Sequence, residues 1–393
     1  MCAGSVHADV IRMSSYRALK SKEIEFALLG LQERLAQCPR PNGEHKVVLE
    51  RLEALLARFA AELLTIHPII EDPAFRSTVD YTLGRISAFL SVVETQFIRG
   101  LVNPSPEELS LRVVFLGCAR RLGLDWFEDM VVQSSGSLGI YHKLYQSLGT
   151  PVLHVPPGLL DKFLSLPGVF HEYGHSVWAK FPVILAVMQD VIHKHFEELR
   201  RRIGPTQPHL RDVQLGRFHD AEKFWNDRRL EELFCDLFAQ YVCGCANIIS
   251  MIDLSMAEGR PVSDDSDLDY PPDGARVRVC AMMLNGDQSD EASMYELQEE
   301  WEEYSQQFNH PLIYRDACAE PVLRQLGHAV FATLAREMPA LPKCDDPLPD
   351  VQLAFAPSKN VLFEDAVQHG FAVLAWRREN FESWWKDVRM RLV

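Results

Sequence analysis

His171-Glu172-Tyr173-Gly174-His175 decides how this 393-residue chain reads. Two imidazoles stand four residues apart, with a carboxylate beside the first. On a helix, positions i and i+4 share a face, so both rings can point at one metal ion. Glu172 then lies at the edge of that face, within reach of the proton of a water bound there. Ser165 as a cap and Pro167 in the first turn predict that a helix carries the stretch.

Outward from this helix the chain is mostly amphipathic. On the N-terminal side, Asp129–Gln133, Leu138–His142 and Pro151–Val155 are short, β-branched and punctuated by Gly, Ser and Pro, which predicts a small sheet before the metal helix. Further upstream, apolar residues at three- and four-residue spacing predict helices over Glu23–Gln37, Lys46–Ile66 and Phe75–Leu101, and another after Pro106. Downstream, helices are expected over Pro182–Ile203 and Asp220–Ile252, then from Ala275, Glu291, Ala319 and Phe363. The acidic stretch Ala257–Gly274 reads as a mobile loop. The fold class is therefore mainly α with a small β-sheet, an α+β arrangement. Its divisions are a helical N-terminal region (1–125), a catalytic core (126–284) and a helical C-terminal region (285–393).

Composition narrows the function. Forty basic against 55 acidic residues leave a net charge of −15, which argues against a nucleic-acid footprint or docking on anionic lipid. No apolar run approaches a membrane span, and Met1–Arg17 lacks a secretion signal. The nine cysteines form no CxxC pair, so they read as reduced, buried thiols of a cytoplasmic protein. Cys243 and Cys245 are expected on diverging faces of one helix, packed in the core.

The five residues match the HExxH arrangement of zinc peptidases. A catalytic zinc needs three protein ligands, so a third lies elsewhere. The metzincin continuation would put Gly and His where Trp178 and Phe181 stand, and the inverted HxxEH order is absent. On the strongly apolar segment Arg229–Ala239, Glu232 and Asp236 are four apart. Glu231 and the histidines His193, His195 and His219 are the rivals, with His193 and His195 reading as surface or cap residues.

The Glu232/Asp236 pair resembles the gluzincin pattern. That resemblance implies Glu232 as third ligand, Asp236 as the partner that fixes a ligand histidine from behind, and a small Ala239 for close helix packing. Tyr270-Pro271-Pro272-Asp273-Gly274-Ala275-Arg276-Val277-Arg278 is similar to the His-Pro-Pro…Arg segment of the CAAX prenyl endopeptidases and related heat-shock membrane proteases. The likeness spans Pro151–Leu284. Tyr270 replaces that family's histidine, and its membrane helices are missing.

The resemblance implies a zincin-like core holding one Zn2+ per chain through His171, His175 and Glu232, with Glu172 as general base. Tyr270 is either an oxyanion donor or a turn aromatic beside two prolines. Arg276 and Arg278 are expected to pair with the neighbouring acidic loop, Arg276 being also a substrate-contact candidate. Val152, Leu153 and His154 belong to the strand that, in gluzincins, pairs with an extended substrate. The expected function is a soluble, cytoplasmic zinc endopeptidase acting on a protein or peptide, with the N-terminal helices as a scaffold or partner-binding bundle. A zinc hydrolase of non-peptide amides and a regulatory protein with a degenerate zinc site are the alternatives.

Overall fold

The computed structural model describes residues 4–37, 46–94, 98, 104–127, 130–135, 138–140, 151–203, 208–259, 261–264, 266–284, 299, 301–344, 363, 366–367, 384–386 and 388–389. The protein is mainly helical (78%) with a small sheet, an α+β composition. The chain divides into two compact units: Met1–Arg112 with Trp126–Ser137 and Tyr141–Val155, and Val113–Asp125 with Leu138–Ile140 and Pro156–Val393. Among the described residues no helix is long and apolar enough to cross a membrane.

The first unit is built on α1 (Gly4–Gln37), α2 (Lys46–Ile66) and α3 (Arg76–Val93). Val79, Leu83, Ile86, Leu90 and Val93 mark a buried stripe along α3. They share one core with Leu28, Leu31 and Leu35 of α1 and Leu52, Leu56 and Phe59 of α2. This is the interlocking that the helical periodicity predicts. Arg17 clamps α1 to α3 through a two-pronged bond to Asp80, with Nε–Oδ1 at 2.5 Å and Nη2–Oδ2 at 2.8 Å. Strands β1 (Val131–Ser134) and β3 (Val152–Val155) pair in parallel, Val131 opposite Val152 and Ser134 opposite Val155. α4 (Pro106–Arg121) starts in a reciprocal capping box: Ser105 Oγ accepts from Glu108 N–H at 3.1 Å, and Glu108 accepts from Ser105 N–H at 2.6 Å. Its other oxygen accepts from Ser134 N–H at 2.6 Å, tying the start of α4 to β1.

The second unit holds β2 (Gly139–Ile140), α5 (Gly168–Lys180), α6 (Val183–Arg202), α7 (Pro208–Phe224), α8 (Asp227–Cys243), α9 (Cys245–Glu258), α10 (Asp273–Met282), α11 (Leu312–Ala317) and α12 (Glu320–Glu337). Helix α8 is its axis, buried at every position from Arg229 to Cys243. A helix so enclosed must find a partner for each charge it carries.

Several expectations are corrected. The span Asp220–Ile252 is three helices, because Asn226 caps α8 by accepting from Arg229 N–H and Gly244, at φ 56° and ψ −131°, ends it. Cys243 and Cys245 therefore flank a break instead of sharing one helix. α5 begins at Gly168 with Pro167 at its cap and no side-chain cap bond; Ser165 ends a 3-10 turn upstream. Two such turns, Leu159–Asp161 and Phe163–Ser165, separate β3 from α5. Part of the acidic stretch is tied down: Asp267 and Leu268 carbonyls accept from Arg229 and Asn226 at the start of α8, and Val262 is fully buried. Tyr141, His142 and most of the helices expected from Glu291 and Phe363 lie outside the described residues.

Candidate metal centre

The centre forms where α5 crosses α8. They approach tightly at Gly174, where an added Cβ would lie 2.8 Å from the Cys235 Cα and 3.2 Å from its Sγ. Contacts below 3 Å are not tolerated, so the fourth residue of the motif must be glycine for the helices to meet. Ala239, expected to allow close helix packing, is fully buried.

This approach brings His171 and His175, 5.1 Å apart between ring centroids and nearly perpendicular at 82°, onto the carboxylates of α8. His171 Nδ1 lies 2.9 Å from Asp236 Oδ1, and His175 Nδ1 lies 2.9 Å from Glu231 Oε1. Both Nε2 atoms turn to one oxygen, Glu232 Oε2, at 3.3 Å from His171 and 3.8 Å from His175. A carboxylate on Nδ1 fixes that nitrogen as the donor and leaves Nε2 to bind a cation.

Each orienting carboxylate has its own arginine. Asp236 accepts from Arg276 at 2.6 Å (Nε) and 2.8 Å (Nη2). Glu231 accepts from Arg228 Nη1 at 2.8 Å. The result is two parallel chains, His171–Asp236–Arg276 and His175–Glu231–Arg228. Asp236 stands where the gluzincin resemblance implied; Glu231 was weighed as a rival ligand and turns out to hold the second histidine from behind. Arg276 was expected near the acidic loop. It does lie 3.7 Å from Asp273, but its main bond is to Asp236.

The electrostatics follow from burial. Burial works against the His171 imidazolium, yet Asp236 and Glu232 overcome it and push the group up to about 10. Burial works against the Asp236 carboxylate too, and Arg276 and His171 bring it down to about 2. Glu232 is likewise held below the ordinary carboxylate range: His171, His175 and Arg276 outweigh a burial that alone would raise it. So the geometry calls for positive charge at Nε2, which either a proton or a metal ion can supply.

Two side chains compete as third donor. Glu232 is fully buried and neither of its oxygens accepts a hydrogen bond, although His171 Nε2 and Arg228 Nη2 stand 3.3 and 3.5 Å away. An ionised carboxylate in that state is expensive unless a cation completes it. Cys235 is the rival: donor atoms of His171, His175 and Cys235 all lie within 4.8 Å of one another. Its thiol is buried, and burial together with Glu232, Glu231, Glu172 and Asp236 pushes it well above the usual thiol range. We favour Glu232, because it is already ionised and both Nε2 atoms face it. Nothing in the spacing of the cysteines flagged Cys235; it becomes visible only through Gly174.

The remaining predicted residues fall in different places. Glu172 Oε2 accepts from Ile140 N–H at 2.7 Å, so β2 holds the glutamate in place. Tyr270 stands with its ring 5.6 Å from the Arg276 guanidinium carbon. Burial, then Glu232 and Glu172, push its phenol up to about 12, which keeps the hydroxyl protonated. Val152, Leu153 and His154 are buried in β3 of the first unit, paired with β1. No protein family, curated protein or solved structure matches the chain.

Proposed function

We propose that the protein is a zinc-dependent metallopeptidase whose centre is His171, His175 and Glu232. One observation carries the reading: two histidines, each fixed through Nδ1, aim Nε2 at a buried carboxylate that accepts no hydrogen bond. The charge count agrees. Four carboxylates (Glu172, Glu231, Glu232, Asp236) act on the site against two guanidiniums (Arg228, Arg276). Negative charge is in excess there, and a divalent ion would offset it.

When bound, zinc supplies a Lewis acid that acidifies water and polarises a carbonyl oxygen. The chain's own groups do the rest. Glu172, held by Ile140, takes a proton at its carboxylate and returns it to the leaving amine. Asp236 and Glu231 keep both imidazoles in one tautomer. Tyr270, protonated at neutral pH, can donate to an oxygen that gains negative charge. A base between the two histidines would be useless in a purely structural site, which favours hydrolysis. Cys235 and Cys280, buried thiols beside the centre, support a reducing, cytoplasmic setting. A protein or peptide substrate, the zincin-like core, the gluzincin kinship and partner binding through the N-terminal helices belong to the same proposal.

The test pairs metal analysis with digestion. Full-length protein should hold about one zinc per chain and cut a random peptide library in preference to small acyl amides. Glu172→Gln should keep the zinc and lose activity by roughly 10²–10⁴-fold. Protein that binds no zinc, or a Glu172→Gln variant of full activity, would overturn the reading.

A further inference from the structure

We propose that Arg228 is a carboxylate-binding residue at the edge of the metal centre, so that the preferred substrate carries a carboxylate next to the bond that is cut. This rests on the metallopeptidase reading and adds the substrate's chemical class. Arg228 and Arg276 touch carboxylates of the site and Arg229 neighbours Arg228 on α8; of the three, two are committed. Arg276 is 16% exposed and gives Nε and Nη2 to Asp236. Arg229 is buried, gives Nη1 to the Phe224 carbonyl at 3.1 Å and Nη2 to the Asp267 carbonyl, and lies 4.1 Å above the Phe224 ring.

Arg228 differs. Its side chain is 43% exposed, Nη1 bonds Glu231 at 2.8 Å, and Nη2 stands 3.5 Å from Glu232 Oε1, too far for a hydrogen bond. A guanidinium offers five N–H donors in a rigid fork matched to a carboxylate. Here Glu231, itself held by His175, fixes one edge of the fork and leaves donors to spare. The acidic groups acting on Arg228 are Glu231, Glu232 and Asp269. Once a divalent ion balances the centre's excess charge, an arriving anion meets a fixed, half-exposed fork instead of net negative charge. The shared chemistry is a carboxylate, whether on an aspartate or glutamate side chain or at the C-terminus of a peptide.

The experiment is isothermal titration of the zinc-loaded, full-length Glu172→Gln protein, so that binding is read without turnover. Three acetylated tetrapeptide pools differ only in charge. One has glutamate at each position in turn and an amidated end, one has glutamine and an amidated end, and one has glutamine and a free carboxylate end. We expect one of the two charged pools to bind at least about tenfold more tightly than the neutral pool, and adding Arg228→Met to remove that ratio. Preference for the glutamate pool assigns an acidic side chain, and preference for the free-acid pool assigns the C-terminus. Equal affinity for all three pools overturns the proposal, as does a charge preference that survives Arg228→Met. Arg228→Lys separates reading from positioning. Partial recovery of the ratio supports a charge contact with the peptide, whereas affinities that shift equally for all pools would reduce Arg228 to a support for Glu231 and overturn it. Zinc content of the same samples reports separately on the metallopeptidase reading.

Discussion

The two histidine chains use the same parts in different surroundings. In the His171 chain the carboxylate is enclosed and its arginine mostly so: Asp236 is 2% exposed, Arg276, at 16%, grips it with two bonds, and the Asp236 backbone carbonyl accepts from Asn247 at 3.2 Å. In the His175 chain Glu231 is buried, but its arginine reaches solvent. A buried ion pair is costly to break because the surviving partner is stranded, whereas an exposed one can be replaced by water. The difference assigns the parts: the His171 side holds the geometry of the centre, and the His175 side can respond to what enters it.

Removing the element common to both chains should have the largest effect. Glu232→Ala deletes the oxygen that both Nε2 atoms face. Zinc content should fall from about one per chain to near zero, with hydrolysis lost, as metal analysis and the peptide digest would show. The comparison itself is tested by Asp236→Ala against Glu231→Ala. Asp236→Ala strands a buried guanidinium and should destabilise the fold by about 3–5 kcal/mol, read by denaturant unfolding. Glu231→Ala strands a half-exposed one and should cost about 1 kcal/mol or less. Among variants that remain folded, Asp236→Asn should weaken zinc binding by about 10–100-fold and Glu231→Gln by less. Equal penalties in the two chains would erase the distinction between them.

A pH titration sharpens the same contrast. In metal-free protein the His171 value, about 10, lies above its ordinary value near 6.5. The stability it contributes is fully present below about pH 6.5 and is lost as the pH rises towards 10. Asp236, at about 2 against an ordinary 3.8, contributes in the opposite sense: its share is present above about pH 4 and is lost as the pH falls through 2. Zinc inverts the first trend, since binding displaces the proton from His171 and strengthens as the pH rises. Thermal melts from pH 6 to 10 should therefore decline for the metal-free protein and hold steady with zinc. Parallel curves would mean that zinc does not sit on His171 Nε2.

What the sequence made legible tracks how local the cause is. The helices of the first unit follow from periodicity, and the His171/His175 pair follows from i, i+4 spacing, which a helix enforces by itself; Glu232 and Asp236 were picked out through the gluzincin resemblance. Glu231 was invisible as an orienting group because spacing cannot say which of two adjacent carboxylates faces which nitrogen; that depends on how α5 lies across α8. The support of Glu172 was out of sight for the same reason: the backbone that holds it comes from Ile140, 32 residues before it. Breaks within the long helical pattern hid as well, since Gly244 reads as one small residue in an apolar run and acts through its backbone angles.

The smallest expected effect decides the third ligand. Cys235 lies within 4.8 Å of both histidine donor sets, so distance alone leaves it in contention with Glu232. Its thiol would have to ionise among four carboxylates that push it the other way, although a metal could reverse that balance. Its packing gives it a second reason to be there: the Sγ fills the space beside Gly174, where a small side chain is all the crossing admits. If packing is its role, Cys235→Ala should keep about one zinc per chain and lose only about 1 kcal/mol of stability, on the scale of a small buried truncation. If it is a ligand, the same variant should lose the metal while Glu232→Ala retains it. Carrying both substitutions through one zinc titration sets the two donors against each other directly. We expect Glu232 to prevail, because its carboxylate is already ionised where both imidazoles point, and Cys235 is not.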